Sequence, residues 1–469
     1  MSEKLKRTLS LKDAVSVVAG SMIGCGIFIV SADIARQVNS AWLLLLCWLI
    51  AGFTTICGSL CYGELASTIS DEGGQYIYLK KIFSEKVAFI YGWTLFLVIQ
   101  TGTLAAVDIA FAKFVGIILP WASSTNYLFS LGEYHFSAQQ LFAMLTIILI
   151  TFINSRGIKH GVVTQNLFTV TKVFSMIAII TCGVFLGLNF DTIASNFAVS
   201  HNASVFDISV LKMLGVALVG ALFASITWNN VTFIASEIRE PKKNVPRALI
   251  IGTGLVITLY LFINLIYLGV MPLDIIKTAQ EDIVAAELIN QIFGTAGMFV
   301  ISFIVSISAF GCANGMVLTG SRVYYKMAKD RLFFRSLAVI NRRTRVPVNS
   351  LWFQCGWVCL LILWGNYSQL LDYVIYASLI FYAITIFGIF KMRKMYRDAN
   401  PAYKVHNFIP VSFLVISSII IVSLTVYKPF YTVPGLVITL LGIPVYNIWA
   451  KNRQTKLALK DKKQSLIKV

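Results

Sequence analysis

Apolar residues run through this chain in blocks long enough to cross a bilayer, and polar residues gather in short clusters between the blocks. Crossing the hydrocarbon takes about 20 apolar residues in helical form. The pattern predicts twelve spans, near residues 13–36, 41–66, 87–119, 138–155, 161–188, 209–236, 247–271, 287–325, 348–364, 367–390, 408–427 and 431–450. The eighth is overlong and is expected to protrude or bend. The ninth and tenth are separated only by Gly365-Asn366, which demands a tight turn. The expected organisation is one all-α membrane domain over 1–469. A tail (1–12) precedes helices 1–5 (13–188), helices 6–10 (209–390), helices 11–12 (408–450) and a second tail (451–469).

Two blocks carry a fault in the pattern. The first is interrupted by Gly20-Ser21-Met22-Ile23-Gly24-Cys25-Gly26, the sixth by Phe223-Ala224-Ser225-Ile226-Thr227-Trp228-Asn229-Asn230. Hydrocarbon offers no water to freed backbone groups, so a broken helix persists there only where it lines a protected cavity. Small residues that let helices approach closely are the plainer reading of the glycines. Breaks in matching positions of two halves point to a transporter's binding site. Segments 1–5 and 6–10 each start with such a helix. Two five-helix units would then run in opposite orientations, as an inverted repeat.

Composition agrees with a membrane chain. Of 469 residues, 57% are hydrophobic and 13% charged, where a soluble domain carries about 25% charged residues. The net charge of +18 does not mark a nucleic-acid surface, because the basic residues sit in short loops rather than on one face. Most of the 39 fall in one set of loops and the tails, including Lys80, Lys81, Lys86, Arg239, Lys242, Lys243 and the run from Lys326 to Arg345. The opposite loops hold Arg36, Lys277 and Lys428. The positive-inside rule then puts both termini in the cytoplasm. No cleavable signal peptide is evident, since the first apolar block continues into a full span. The eight cysteines lie in or at the ends of apolar blocks without metal-ligand spacing beside histidine. Buried free thiols are expected, with no metal and no cofactor.

Chemistry follows from the breaks. A helix piece that starts presents unpaired N–H groups, and one that ends presents unpaired carbonyls, with opposite partial charges. An α-amino acid carries a carboxylate and an ammonium on adjacent atoms, so such a pair of ends is a cradle for it. Gly24, Cys25 and Gly26 are expected to offer N–H groups to the carboxylate, and carbonyls near Ser21, Met22, Phe223 and Ala224 to take the ammonium. Ile23, Ile226 and Thr227 complete this candidate binding segment.

Ionisable groups inside spans are functional candidates. Lys172, deep in span five, is expected to meet carbonyls of spans one and eight, replacing a sodium ion or carrying a coupling proton. Snorkelling to the surface is the alternative, but Lys159 lies about 20 Å earlier along the helix. Asp108 in span three has three readings: neutralising a cationic substrate, proton coupling, or structural pairing. Glu64 and Glu237 read as gate or loop salt bridges, and Glu133 and Asp207 as solvated. Asn314 in span eight serves either helix–helix hydrogen bonding or the pocket.

Gly20-Ser21-Met22-Ile23-Gly24-Cys25-Gly26-Ile27-Phe28 resembles the first-helix motif of the amino acid–polyamine–organocation transporters. Cys61-Tyr62-Gly63-Glu64-Leu65 with Gly73-Gly74-Gln75-Tyr76 is similar to the end of their second helix. Phe223-Ala224, Trp228-Asn229, Glu237-Ile238, Pro241 and Asn244-Val245-Pro246-Arg247 resemble the sixth helix of the L-type amino acid transporter branch. Phe310-Gly311-Cys312-Ala313-Asn314-Gly315 and Ser321-Arg322 resemble its eighth. The resemblance implies a leucine-transporter-type fold with discontinuous helices 1 and 6, and sodium-independent exchange of L-amino acids by alternating access. It implies gate roles for Phe223 and Trp228, and places Lys172 where related carriers bind sodium. The chain departs from the branch at Cys25, where serine is common. It departs again at Ile226 and Thr227, where two glycines are usual; the larger residues favour small or slender substrates. Animal members bond a heavy chain through a cysteine between spans three and four. The stretch 120–137 has none, so no disulfide-linked heavy chain is expected. A proton-coupled amino acid or polyamine carrier is the alternative. A channel lacks a continuous polar lining here, and an enzyme lacks a catalytic constellation.

Overall fold

Long apolar helices make up almost all of the computed structural model, which describes residues 7–71, 73–132, 134–198, 208–279, 282–364, 367–397 and 401–466. Eleven helices among the described residues are long and apolar enough to cross a membrane. The segment expected as span nine is a shorter apolar helix, Val348–Leu363. At 1.5 Å per residue it falls short of the roughly 30 Å hydrocarbon thickness. The Gly365-Asn366 turn, Glu133 and Asp207 lie outside the described residues.

The first span is two helices, α1 (Leu11–Met22) and α2 (Gly26–Val38). Ser10 starts α1 with a reciprocal capping box to Asp13, which fixes where the helix begins. Ile23 leaves helical geometry and ends it. An unbroken helix, α3 (Ala41–Thr68), forms span two, and a short α4 (Gln75–Ile82) follows. Span three is α5 (Glu85–Thr94), a π-helical turn over Leu95–Ile99, and α6 (Gln100–Ile118). A hairpin of β1 (Tyr127–Leu131) and β2 (Tyr134–Ser137) then interrupts the expected all-helical pattern. Its aromatic residues and Gly132 carry ordinary hairpin signals.

Spans four and five are α7 (Ala138–Ser155) and α8 (Ile158–Cys182), and a short α9 (Phe190–Ala198) precedes the sixth. Span six breaks as expected: α10 (Ile208–Ala224) ends, and a 3-10 segment resumes over Trp228–Glu237. Thr227, just before it, sits at φ 74°, a left-handed conformation that strains a β-branched residue. Next come α11 (Pro241–Val270), a single-turn α12 (Leu273–Lys277) and the overlong α13 (Val284–Lys329). The latter bends at Gly294, whose φ is 70°. The remaining helices are α14 (Val348–Trp364), α15 (Tyr367–Met395), α16 (Phe408–Tyr427) and α17 (Pro429–Leu466).

The broken spans sit against each other at the centre. Here α2 packs on α10, while α1 packs on α8, α11 and α13. Backbones meet at Gly26, where an added Cβ would come 2.9 Å from the Ala224 Cα. Only glycine leaves room for that approach.

Candidate functional site

Helix α1 ends inside the protein, so its last carbonyls need partners other than water. Each has one. Ala19 accepts from the Ile23 N–H at 2.8 Å. The Lys172 ammonium donates to the Gly20 and Ile23 carbonyls, both at 2.6 Å. Ser21 accepts from the Thr227 hydroxyl at 2.8 Å and from the Cys312 thiol at 2.9 Å. Met22 accepts from the Tyr260 hydroxyl at 2.9 Å. Ser308 donates to the Gly24 carbonyl at 3.3 Å. Lys172 is fully buried; it does not snorkel. Its two acceptors both belong to span one. Span eight, expected to share the ammonium, instead packs against the lysine stem at Gly311.

The opposite pole is less occupied. Helix α2 starts without a side-chain cap, and the Gly24 and Gly26 N–H groups meet no acceptor among the described residues. Across from them, Tyr260 also reaches the Ala224 carbonyl at 3.1 Å, so one hydroxyl proton ties the carbonyl ends of both broken spans. Phe223 accepts from the Ile226 N–H at 3.3 Å. Of the four carbonyls expected to receive an ammonium, Ser21 has both lone pairs engaged. Met22 and Ala224 each retain acceptor capacity, since a carbonyl oxygen has two lone pairs.

A tight cavity, with a void of about 10 Å³, lies between the two breaks. From the first it is lined by Ser21, Met22, Gly24, Cys25 and Gly26; from the sixth by Phe223, Ala224, Ile226 and Thr227. Thr103 and Val107 of α6 and Cys312 of α13 complete it. Sequence reasoning assigned none of these three to the site, nor Tyr260 or Ser308. The only signal was spacing: Ser308 and Cys312 are four residues apart, on one helix face.

Five sequence candidates sit elsewhere. Ile23 does not line the cavity; its carbonyl is held by Lys172. Nor does Asn314, which accepts from the Asn154 amide at 2.8 Å and donates to Gly161 and Gln165. It occupies a buried amide ladder joining α7, α8 and α13, the helix–helix reading of the two left open. Trp228 stands behind the break, edge-on to Tyr62 with centroids 4.8 Å apart and tilted 5.2 Å from Tyr382. Lys172 lies behind α1. Asp108, one residue past the cavity-lining Val107, is fully buried, and neither of its oxygens has a hydrogen-bond partner among the described residues.

Beyond the cavity, toward the ends rich in Lys and Arg, ion pairs join the elements. Glu237 pairs with Arg322 at 3.0 Å, and both are almost wholly buried. Glu64 takes a two-pronged contact from Arg393 at 2.7 and 2.6 Å and accepts the Val405 N–H at 2.8 Å. The segment before α1 is fastened there too. Thr8 and Leu9 donate to the Glu237 carbonyl, and Arg239 donates back to Leu9.

Similarity to known proteins covers the same elements. The chain is 28% identical over 453 residues to human large neutral amino acids transporter small subunit 2, covering 94% of this chain and 80% of that one. It is 28% identical over 448 residues to the mouse Asc-type amino acid transporter 1, covering 94% and 81%. It is 27% identical over 427 residues to the mouse b(0,+)-type amino acid transporter 1, covering 91% and 84%. The sequence pattern of the family described as amino acid permease matches residues 9–444, from the segment that fastens the first span to the last spanning helix, and the chain belongs to that family.

Proposed function

We propose that this protein is a sodium-independent carrier that exchanges small or slender neutral L-amino acids across the plasma membrane by alternating access. The observation that carries the reading is the asymmetry of the central cavity. Free Gly24 and Gly26 N–H groups stand at one pole, partly used carbonyls at the other. A zwitterion complements both poles. Lys172 supports sodium independence, because its ammonium already holds the Gly20 and Ile23 carbonyls that a cation would need. Phe223 lines the cavity as a lid over the substrate, and Trp228 backs it. The names of the three relatives give amino acids as their cargo.

Twelve spans, with the shorter Val348–Leu363 as the ninth, form two inverted five-helix units followed by two further helices. Both termini face the cytoplasm, where the basic loops gather. The carrier works without a disulfide-linked heavy chain, and it is not an enzyme.

Asp108 favours a second reading. A buried carboxyl group with no partner is costly as an anion and is a natural carrier of a proton, so coupling to protons is the competitor to exchange. Counterflow separates the two. Proteoliposomes loaded with unlabelled alanine should accelerate uptake of labelled alanine, and an imposed pH gradient alone should not. Uptake driven by the pH gradient into empty vesicles would replace exchange with proton coupling.

A further inference from the structure

At the Lys/Arg-rich end of α17, three elements converge on one aromatic group. Trp449 lies in the last turn of the span Thr432–Lys451. Its ring centroid is 5.3 Å from Phe334 and 6.4 Å from Phe333, both in the connection between α13 and α14, and 6.3 Å from Phe89 on α5. Tryptophan at the end of a span marks the level of the lipid headgroups. Residues 330–347 carry one acidic side chain, Asp330. It is taken by Lys80 at 2.9 Å and Lys326 at 3.4 Å. Arg331, Arg335, Arg342 and Arg343 are exposed and make no ion pair among the described residues. Between them in the chain, Phe334 and Val339 are 47% and 55% exposed. Beyond Trp449, α17 runs on to Leu466, and six of residues 451–466 are Lys or Arg against one acidic residue.

We propose that this surface is a docking site for anionic phospholipids of the adjoining leaflet. Topology asks only that basic residues lie on this side of the membrane. It does not ask for four unpaired arginines set around exposed apolar side chains. A guanidinium takes a phosphate through two parallel N–H groups. Phe334 and Val339, beside those arginines, suit the boundary between headgroups and acyl chains. A phospholipid offers both halves of the complement on one molecule. A nucleic acid or an acidic protein segment would satisfy the arginines but leave Phe334 and Val339 in water. Basic clusters directly beyond a spanning helix attract anionic lipid by about fivefold per residue, and the run that follows Trp449 adds to that of the connection.

Lipid titration of the purified full-length protein in detergent tests this, with the melting temperature as readout. Dioleoylphosphatidylglycerol should reach half of its stabilising effect at a concentration at least about tenfold lower than dioleoylphosphatidylcholine, as two or more such contacts predict. The double variants Arg331→Gln/Arg335→Gln and Arg342→Gln/Arg343→Gln should each cut that preference at least about fivefold. Lys242→Gln/Lys243→Gln should leave it unchanged, because these exposed lysines start α11, which packs on α1 and α3. Wild-type protein supplies a check that needs no variant: raising salt from about 0.05 M to about 0.5 M should shrink the preference, since exposed charges are screened. Equal half-saturation by the two lipids, or a preference unmoved by salt or by both arginine pairs, would overturn the proposal. So would an equal loss in the Lys242/Lys243 control, which would reduce the effect to overall charge. Inorganic phosphate that stabilises as much as phosphatidylglycerol would make the patch a simple anion site and overturn the lipid assignment.

Discussion

The Thr227 hydroxyl donates to the Ser21 carbonyl at 2.8 Å, bridging the breaks of spans six and one. Thr227 makes this contact while holding φ 74°, and such strain costs about 1–3 kcal/mol. It engages a carbonyl that would otherwise face the cavity. Replacing Ile226 and Thr227 together by glycine should relieve the strain, free one lone pair of the Ser21 carbonyl and remove two walls of the central cavity. Uptake competition across a panel of side-chain sizes should then broaden toward bulky substrates, since steric exclusion rather than attraction is lost. An unchanged ranking in a well-folded variant would place the size limit elsewhere.

Gly26 faces Ala224 so closely that any side chain must displace the sixth span. Gly26→Val should abolish uptake while leaving expression and membrane insertion largely intact, because the branched side chain fills the space beside the free N–H groups. Saturable uptake near the wild-type level would rule out a backbone cradle for the carboxylate.

Phe223 supplies a large apolar wall of the central cavity. Phe223→Ala should reduce transport at least about tenfold through lost occlusion, whereas Phe223→Tyr and Phe223→Trp retain more. Alanine behaving like the wild type would leave Phe223 as packing alone.

The Glu237–Arg322 pair invites a stability measurement. Removing one partner of a buried pair typically costs about 3–5 kcal/mol, because the other charge stays behind. Arg322→Met should therefore lower the melting temperature strongly, and adding Glu237→Leu should recover most of it. Equal destabilisation by the single and double variants would show that the charge is not what the site needs.

How far the sequence spoke for itself depended on the physics involved. Span positions were legible because hydrocarbon imposes length and apolarity on each. The breaks were legible because glycine and polar residues at mid-span are costly in lipid unless they line a cavity or a close helix contact. Lys172 stood out as a lone charge at depth. Tyr260, Cys312 and Ser308 did not, since each is one polar atom in an apolar run. Whether it meets a freed carbonyl depends on helix rotation and crossing, which local pattern does not encode. Asn314 shows the same gap from the other side: its polarity was visible, but its Asn154 and Gln165 partners lie about 150 residues away. The π-helical turn at Leu95–Ile99 left no mark, because its residues are as apolar as those of the helices around it.

Lys172 carries the last prediction. Its ammonium holds two carbonyls at the end of α1 from a helix on the other side of that span, so it ties the break to α8. Lys172→Ala leaves the Gly20 and Ile23 carbonyls without their donor, and each buried polar group left unpaired costs about 1–3 kcal/mol. Ser308, 3.4 Å from Ile23, offers only a weak substitute. A conformation that lets water or a cation reach those carbonyls should gain population by about tenfold or more. Turnover should fall, or apparent affinity should change on one face of the membrane only. Wild-type exchange should be indifferent to replacing sodium by choline, because the lysine already supplies the cation. In Lys172→Ala, sodium should bind measurably or partly restore transport. Strong sodium dependence of the wild type would remove this role from Lys172. Transport that follows an imposed pH gradient, and stops doing so in Lys172→Ala, would give the lysine a coupling proton instead.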